Sequence, residues 1–142
     1  MKRDTVPLVL IIDDLAFARL RLREVLEELG FSRFVEASSG AEAMTLMYDQ
    51  MRAGDPVGLV TCDMNMPGVG GIAFLKMARA SQEFKDLIII MVTAEAERSR
   101  VIKALSQGAT DYLLKPYSLG DVRKKLANVI KSLSKTAKKR AS

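Results

Sequence analysis

The sequence predicts a doubly wound α/β fold, with a five-stranded parallel sheet covered by helices on both faces. Short apolar runs alternate five times with longer stretches whose apolar residues recur at helical spacing. The strongest runs, LVLII (Leu8 to Ile12) and LIIIMV (Leu87 to Val92), are apolar at every position, as strands buried on both sides are. Strict strand–helix alternation of this kind builds a parallel sheet through crossover connections.

Each element has its own signal. PLVLII reads as the first strand and ends on Asp13-Asp14; Ala18, Leu22, Val25, Leu26 and Leu29 then share one helical face, which Gly30 closes. FVEA (Phe34 to Ala37) is a short strand. Ser39 to Glu42 has capping-box spacing and opens a helix with Ala41, Met44, Met47, Tyr48 and Met51 on its apolar face. RAGDPVG reads as a loop. GLVTC (Gly58 to Cys62) is the third strand, and a helix around Ile72, Leu75 and Ala78 follows a glycine-rich turn. LIIIMVT is the fourth strand, with a helix through Val101 and Leu105 to Gly108. DYLL (Asp111 to Leu114) is the fifth. Ser118 and Asp121 repeat the capping-box spacing, and Val122, Leu126, Val129, Ile130 and Leu133 line the last helix. Residues 1–133 are expected to form one domain, and residues 134–142 a frayed or disordered basic tail.

Composition narrows the function. The chain of 142 residues is 49% apolar and 27% charged, ordinary for a globular domain. No apolar run approaches a bilayer span, and the start MKRDTVP lacks a signal-peptide core, so a cytoplasmic protein is expected. The single cysteine, Cys62, excludes an internal disulfide and reads as a small core residue. The absence of histidine removes Ser-His-Asp catalysis, His-ligated zinc and phosphohistidine; any metal must be held by oxygen, which favours a hard cation. The net charge of +5 is concentrated at the end: from Asp121 onward eight basic residues face one acid, and the rest of the chain is slightly acidic. Such a tail suits a solvated helix end, with nucleic acid or acidic lipid as the alternative contact.

In doubly wound folds ligands bind beyond the carboxyl ends of the strands. Those positions hold Asp13-Asp14, Asp63, Thr93-Ala94 and Lys115-Pro116. Singly, each is an ordinary cap or strand end. Together they place three carboxylates, a hydroxyl and an ammonium at one sheet edge. Clustered carboxylates repel at close range and are reconciled by a divalent cation. An aspartate can attack phosphorus to give an aspartyl-phosphate. Phosphoryl transfer needs positioning and neutralisation of the equatorial oxygens, for which a metal, a lysine, a hydroxyl and a backbone N–H suffice.

The motifs VLIIDD, CDMNMPG, MVTA and LLKP, in that order and with Tyr112 three residues before the lysine, make the chain resemble the receiver domain of two-component response regulators, especially the single-domain CheY-like chemotaxis type. The resemblance runs from about Val6 to Leu133. It implies a flavodoxin-like strand order 2-1-3-4-5. It further implies Asp63 as phosphoacceptor, and a metal held by Asp13, Asp14, Asp63 and the backbone carbonyl of Asn65. That metal would be magnesium, with manganese as the alternative. Phosphoryl contacts would come from Lys115, Thr93, Ala94 and Asn65. Thr93 would swing toward the phosphate and Tyr112 turn into the vacated space, and the Lys115-Pro116 bond would be cis. Asn65 and Glu95 occupy positions that tune phosphate lifetime in the family.

The resemblance implies a sensor histidine kinase as donor and a separate downstream target, docking on the face of the fourth helix, fifth strand and fifth helix through Tyr112, Tyr117 and Lys125. No fused DNA-binding domain and no membrane span are expected, and the domain is expected to be a monomer that can dimerise on phosphorylation. It would be a switch with self-catalysed phosphotransfer and autodephosphorylation only, in chemotaxis or, alternatively, as a phosphorelay intermediate or phosphate sink. A haloacid-dehalogenase-type phosphatase uses similar parts. However, its nucleophile comes first in the chain, and it needs an aspartate where Asn65 stands. GVGG lacks the spacing of a dinucleotide-binding turn. DQMRAGDPVG departs from the family pattern by its length.

Overall fold

A computed structural model of the chain describes residues 6–94 and 99–141, with side chains through Val129 and at Lys131. The elements are β1 (Leu8–Ile12), α1 (Ala16–Glu28), β2 (Arg33–Ala37), α2 (Gly40–Arg52), β3 (Val57–Asp63), α3 (Gly71–Ala80), β4 (Ile88–Ala94), α4 (Ser99–Ser106), β5 (Asp111–Lys115) and α5 (Leu119–Ala141). All strands pair in parallel, in the order β2-β1-β3-β4-β5. The chain winds outward from β1 to β2 and then crosses back to β3. A crevice therefore opens between the carboxyl ends of β1 and β3, the usual ligand position in such sheets.

Alternation along β1 builds two cores. Leu8, Leu10 and Ile12 face a cluster with Met47, Phe74, Leu75 and Ala104, which come from α2, α3 and α4. Val9 and Ile11 face Leu22, Leu26, Val122 and Leu126, from α1 and α5. Period-two alternation explains why the strand sequences show no polar face: both sides are covered.

The expected helical faces need local correction. On α2, Ala41 is exposed and Ala43 is buried in its place. Ser39 Oγ accepts from the Glu42 N–H, but the Glu42 carboxylate reaches Ser38 instead of closing the box on Ser39. On α4, Ala104 is buried and Leu105 points outward. The Ser118–Asp121 box closes in both directions, at 2.9 and 3.0 Å. Much of the supposed long loop is absorbed by α2, which runs to Arg52, and Gly54 turns the chain with φ +81°. The last helix runs to Ala141, where a frayed tail was expected; Lys, Ala and Arg are all good helix formers.

Candidate functional site

The crevice between β1 and β3 is acidic. Asp13 follows β1 directly; its Oδ1 accepts the Leu15 N–H at 3.0 Å, and its Oδ2 lies 3.2 Å from Lys115 Nζ. Asp63 is the last residue of β3, one position later than the strand reading placed the end, and Lys115 Nζ stands 3.8 Å from its Oδ1. Asp14 completes the group. One carboxylate oxygen from each of Asp13, Asp14 and Asp63 lies within 4.8 Å of the other two. Asp13 and Asp63 are buried and Asp14 is partly exposed.

This packing raises the Asp63 carboxyl to about 6 from its ordinary 3.8. Burial is the main cause. Asp13 and Asp14 push in the same direction, while Lys115 and a hydrogen bond from the Asn65 backbone N–H oppose it. Three carboxylates facing one ammonium leave a surplus of negative charge, and every donor atom is oxygen. That is the environment a hard divalent cation prefers, so the residues fit such an ion.

Local sequence explains how Asp63 is presented. Met64 N–H donates to Val92 O at 3.0 Å, which prolongs pairing with β4 just past the aspartate. Gly68 then turns the chain with φ +74°. Gly71, the first residue of α3, presses against the end of β3: a Cβ there would lie 2.7 Å from Met64 Cα and closer still to the Asp63 carbonyl oxygen. Gly71 is thus a packing requirement of the segment that follows Asp63.

Thr93 lies in β4 opposite Leu114 and is fully buried, yet its Oγ1 has no hydrogen-bond partner among the described residues. Thr61, buried among apolar residues, shares that state, so an orphaned hydroxyl does not by itself mark a site. Thr93 differs in standing at the sheet edge where the carboxylates gather. Ala94, next along, is exposed. Lys115 ends β5, and the Lys115-Pro116 bond is cis.

Tyr112 is half-buried on β5. Lys125 Nζ lies 4.0 Å from its ring centroid and 3.1 Å from Asp111 Oδ1. These residues, with Pro116 and Lys124, line an open groove of about 410 Å³ between β5 and α5. Tyr117 is not part of that groove. It packs against the α1–α5 core, near Arg21 and Asp13, and burial pushes its hydroxyl pKa up. Glu95 lies outside the described residues.

Sequence reasoning missed two arginines. Arg19 donates to the Asp13 backbone carbonyl at 2.6 Å while pairing with Glu36, so it fixes the turn that carries the acid pair. Arg100, on α4, donates to the side-chain oxygen of Asn65, two residues past Asp63. No motif spacing marks either one. Only the excess of carboxylates hinted that further cations would gather.

Comparisons with known proteins point to one family. Residues 9–127 match the model of the response regulator receiver domain. A chemotaxis protein CheY-3 of Vibrio cholerae is 36% identical over 125 residues, covering 88% of this chain and 92% of the relative. Chemotaxis protein CheY of Pseudomonas aeruginosa is 34% identical over 126 residues, covering 89% and 98%. A crystal structure of a putative response regulator from Chloroflexus aurantiacus superposes with a TM-score of 0.78 at 30% identity, covering 87% of this chain and 97% of that one. The chemotaxis response regulator CheY4 of Vibrio cholerae superposes with a TM-score of 0.72 at 27% identity, covering 87% and 98%. A receiver-domain match over most of the chain, on a sheet of the same order, places this protein in the response regulator receiver family.

Proposed function

We propose that the protein is a phosphorylation switch in chemotaxis-type signalling, with Asp63 as phosphoacceptor. The observation that carries this is the joining of Asp13, Asp14 and Asp63 within 4.8 Å at the sheet's reversal point, with Lys115 reaching two of them. The curated relatives with chemotaxis names support the setting.

In this reading a carboxylate oxygen of Asp63 attacks the phosphorus of a phosphohistidine on a separate sensor kinase. The new O–P bond forms as the P–N bond breaks, and the imidazole leaves with a proton. Lys115 holds a phosphoryl oxygen as a point charge, and the Thr93 hydroxyl gains the acceptor it lacks. The Asn65 backbone N–H, already on Asp63, steadies the acceptor. Asp13, Asp14, Asp63 and the Asn65 carbonyl would hold magnesium or manganese. When bound, the ion offsets carboxylate repulsion and neutralises charge on the transferring group. Water attack on phosphorus later releases phosphate and restores Asp63.

Phosphorylation then biases the face of α4, β5 and α5 toward binding a separate target protein. The groove beside Tyr112 and Lys125, with Ile102 at 76% exposure on α4, provides apolar and cationic contacts for docking. The test is intact-mass analysis after incubation with acetyl phosphate. One phosphoryl adduct is expected with magnesium and none after chelation; an intact chain that takes no adduct under either condition refutes the proposal.

A further inference from the structure

The last helix outruns the receiver match. That match ends at residue 127, yet α5 continues to Ala141, about 20 Å further along its axis. Val122, Leu126 and Val129 are buried in the core beneath α1 and α5, and the sequence repeats their spacing once more, at Leu133. No large apolar residue comes after Leu133, and no acid comes after Asp121. What does follow is basic: Lys131, Lys135, Lys138, Lys139 and Arg140.

Helix stability alone does not account for these cations. Basic residues suit a helix C-terminus only within its last turn, and Lys131 and Lys135 stand before it. Lys131 and Lys135 are four apart, as are Lys135 and Lys139, a spacing at which like charges destabilise a helix. Helical spacing also places Lys124, Lys131, Lys135 and Lys138 in one row along α5. Of these, Lys124 and Lys131 are exposed. The row starts at the groove between β5 and α5, which Lys124 lines together with Tyr112, Leu114 and Pro116. Charges inside the groove balance: Asp111 pairs with Lys125, and Asp121 feels the charge of Lys124. The groove is therefore an apolar contact, and the row beyond it a cationic one.

We propose that this row is a docking strip for an acidic, amphipathic segment of the target protein, continuous with the groove. The proposal rests on the face of α4, β5 and α5 being the one that meets a target. Apolar residues of the segment enter the groove against Tyr112, Leu114 and Pro116, while its carboxylates run along the lysines. A bilayer is a poorer match, because beyond Leu133 the helix has no large apolar residue to enter hydrocarbon. A nucleic acid is poorer too. Its phosphates suit the row but not the apolar groove, and the chain before Asp121 is slightly acidic and repels a long polyanion. Exposed ion pairs are individually weak and screened, so the docking is sensitive to salt.

The test uses a labelled helical peptide with glutamates on one face and leucines on the other, and fluorescence anisotropy reads its binding to the full chain at low and high salt. Three further probes are compared: the same peptide with glutamine for glutamate, a double-stranded DNA, and co-sedimenting vesicles of phosphatidylcholine with phosphatidylglycerol. Replacing Lys131→Gln together with Lys138→Gln should weaken the glutamate peptide about three- to tenfold at low salt, and less at high salt. Replacing Lys76→Gln together with Lys85→Gln removes the same charge from exposed positions on α3 and the loop after it, and should leave binding near the native value. Glutamine keeps helix propensity, and circular dichroism checks that α5 persists. Equal binding by the two variants, no binding of the glutamate peptide, or DNA or vesicles bound as tightly as that peptide would overturn the proposal. Acetyl phosphate treatment of the same samples separates the two claims. A chain that takes the phosphoryl group but binds no peptide loses only the docking strip. A chain that takes none refutes the receiver reading, and the strip then stands or falls on the peptide measurement alone.

Discussion

Asp63→Asn should stabilise the metal-free protein. Its carboxyl is held at about 6 against an ordinary 3.8, chiefly by burial. At neutral pH the folded state therefore keeps a carboxylate that would ionise more readily in the unfolded chain. At about 1.4 kcal/mol per unit, the full shift corresponds to roughly 3 kcal/mol. The crevice is open to water and the substitution also loses the attraction of Lys115, so about 1–2 kcal/mol is the expected net gain. For a chain of this size that is roughly 3–6 °C in Tm. A raised carboxylate pKa means the folded state binds the extra proton, so the penalty is complete above pH 6, shrinks as pH falls and is gone below about 4. Thermal unfolding by circular dichroism with a chelator, from pH 4 to 7.5, should show the variant more stable at pH 7.5 and converging with the native chain toward pH 4. Equal stability at pH 7.5, or a gap that widens on acidification, would refute the reasoning.

Two further outcomes follow from the same geometry. Lys115→Met removes the main influence holding the Asp63 pKa down, so the carboxyl should titrate above about 6; carbon-detected NMR of aspartate carboxyls would show it, and an unchanged or lower value would contradict it. Gly71→Ala drives a Cβ into the backbone at the end of β3, so α3 must shift, with a loss of about 1–3 kcal/mol in urea unfolding.

Much of the site was readable because it lies where apolar runs stop. Asp13, Asp14, Asp63, Thr93 and Lys115 each lie at or within two residues of a strand end, and strand ends are visible in a sequence. What joins them is not. The order of the strands, which makes β1 and β3 neighbours, came from family likeness and not from periodicity. Helix faces were readable to within one or two residues: Ala43 replaces Ala41 and Ala104 is buried beside an exposed Leu105, since small residues give a weak periodic signal. Arg19 and Arg100 escaped notice because their partners are a backbone carbonyl and a side-chain amide distant in sequence. Tyr117 was grouped with Tyr112, yet the turn after β5 carries it toward the core under α1 and α5. Residue spacing cannot reveal such a change of direction.

The central claim is that one carboxylate among three neighbours accepts the phosphoryl group. Borohydride converts an acyl-phosphate aspartate to homoserine, so reduction after acetyl phosphate and magnesium treatment, followed by peptide mapping, identifies the acceptor. Homoserine is expected at position 63 alone, and none in Asp63→Asn. Homoserine at position 13 or 14 in the native chain would contradict it, as would modification undiminished in Asp63→Asn.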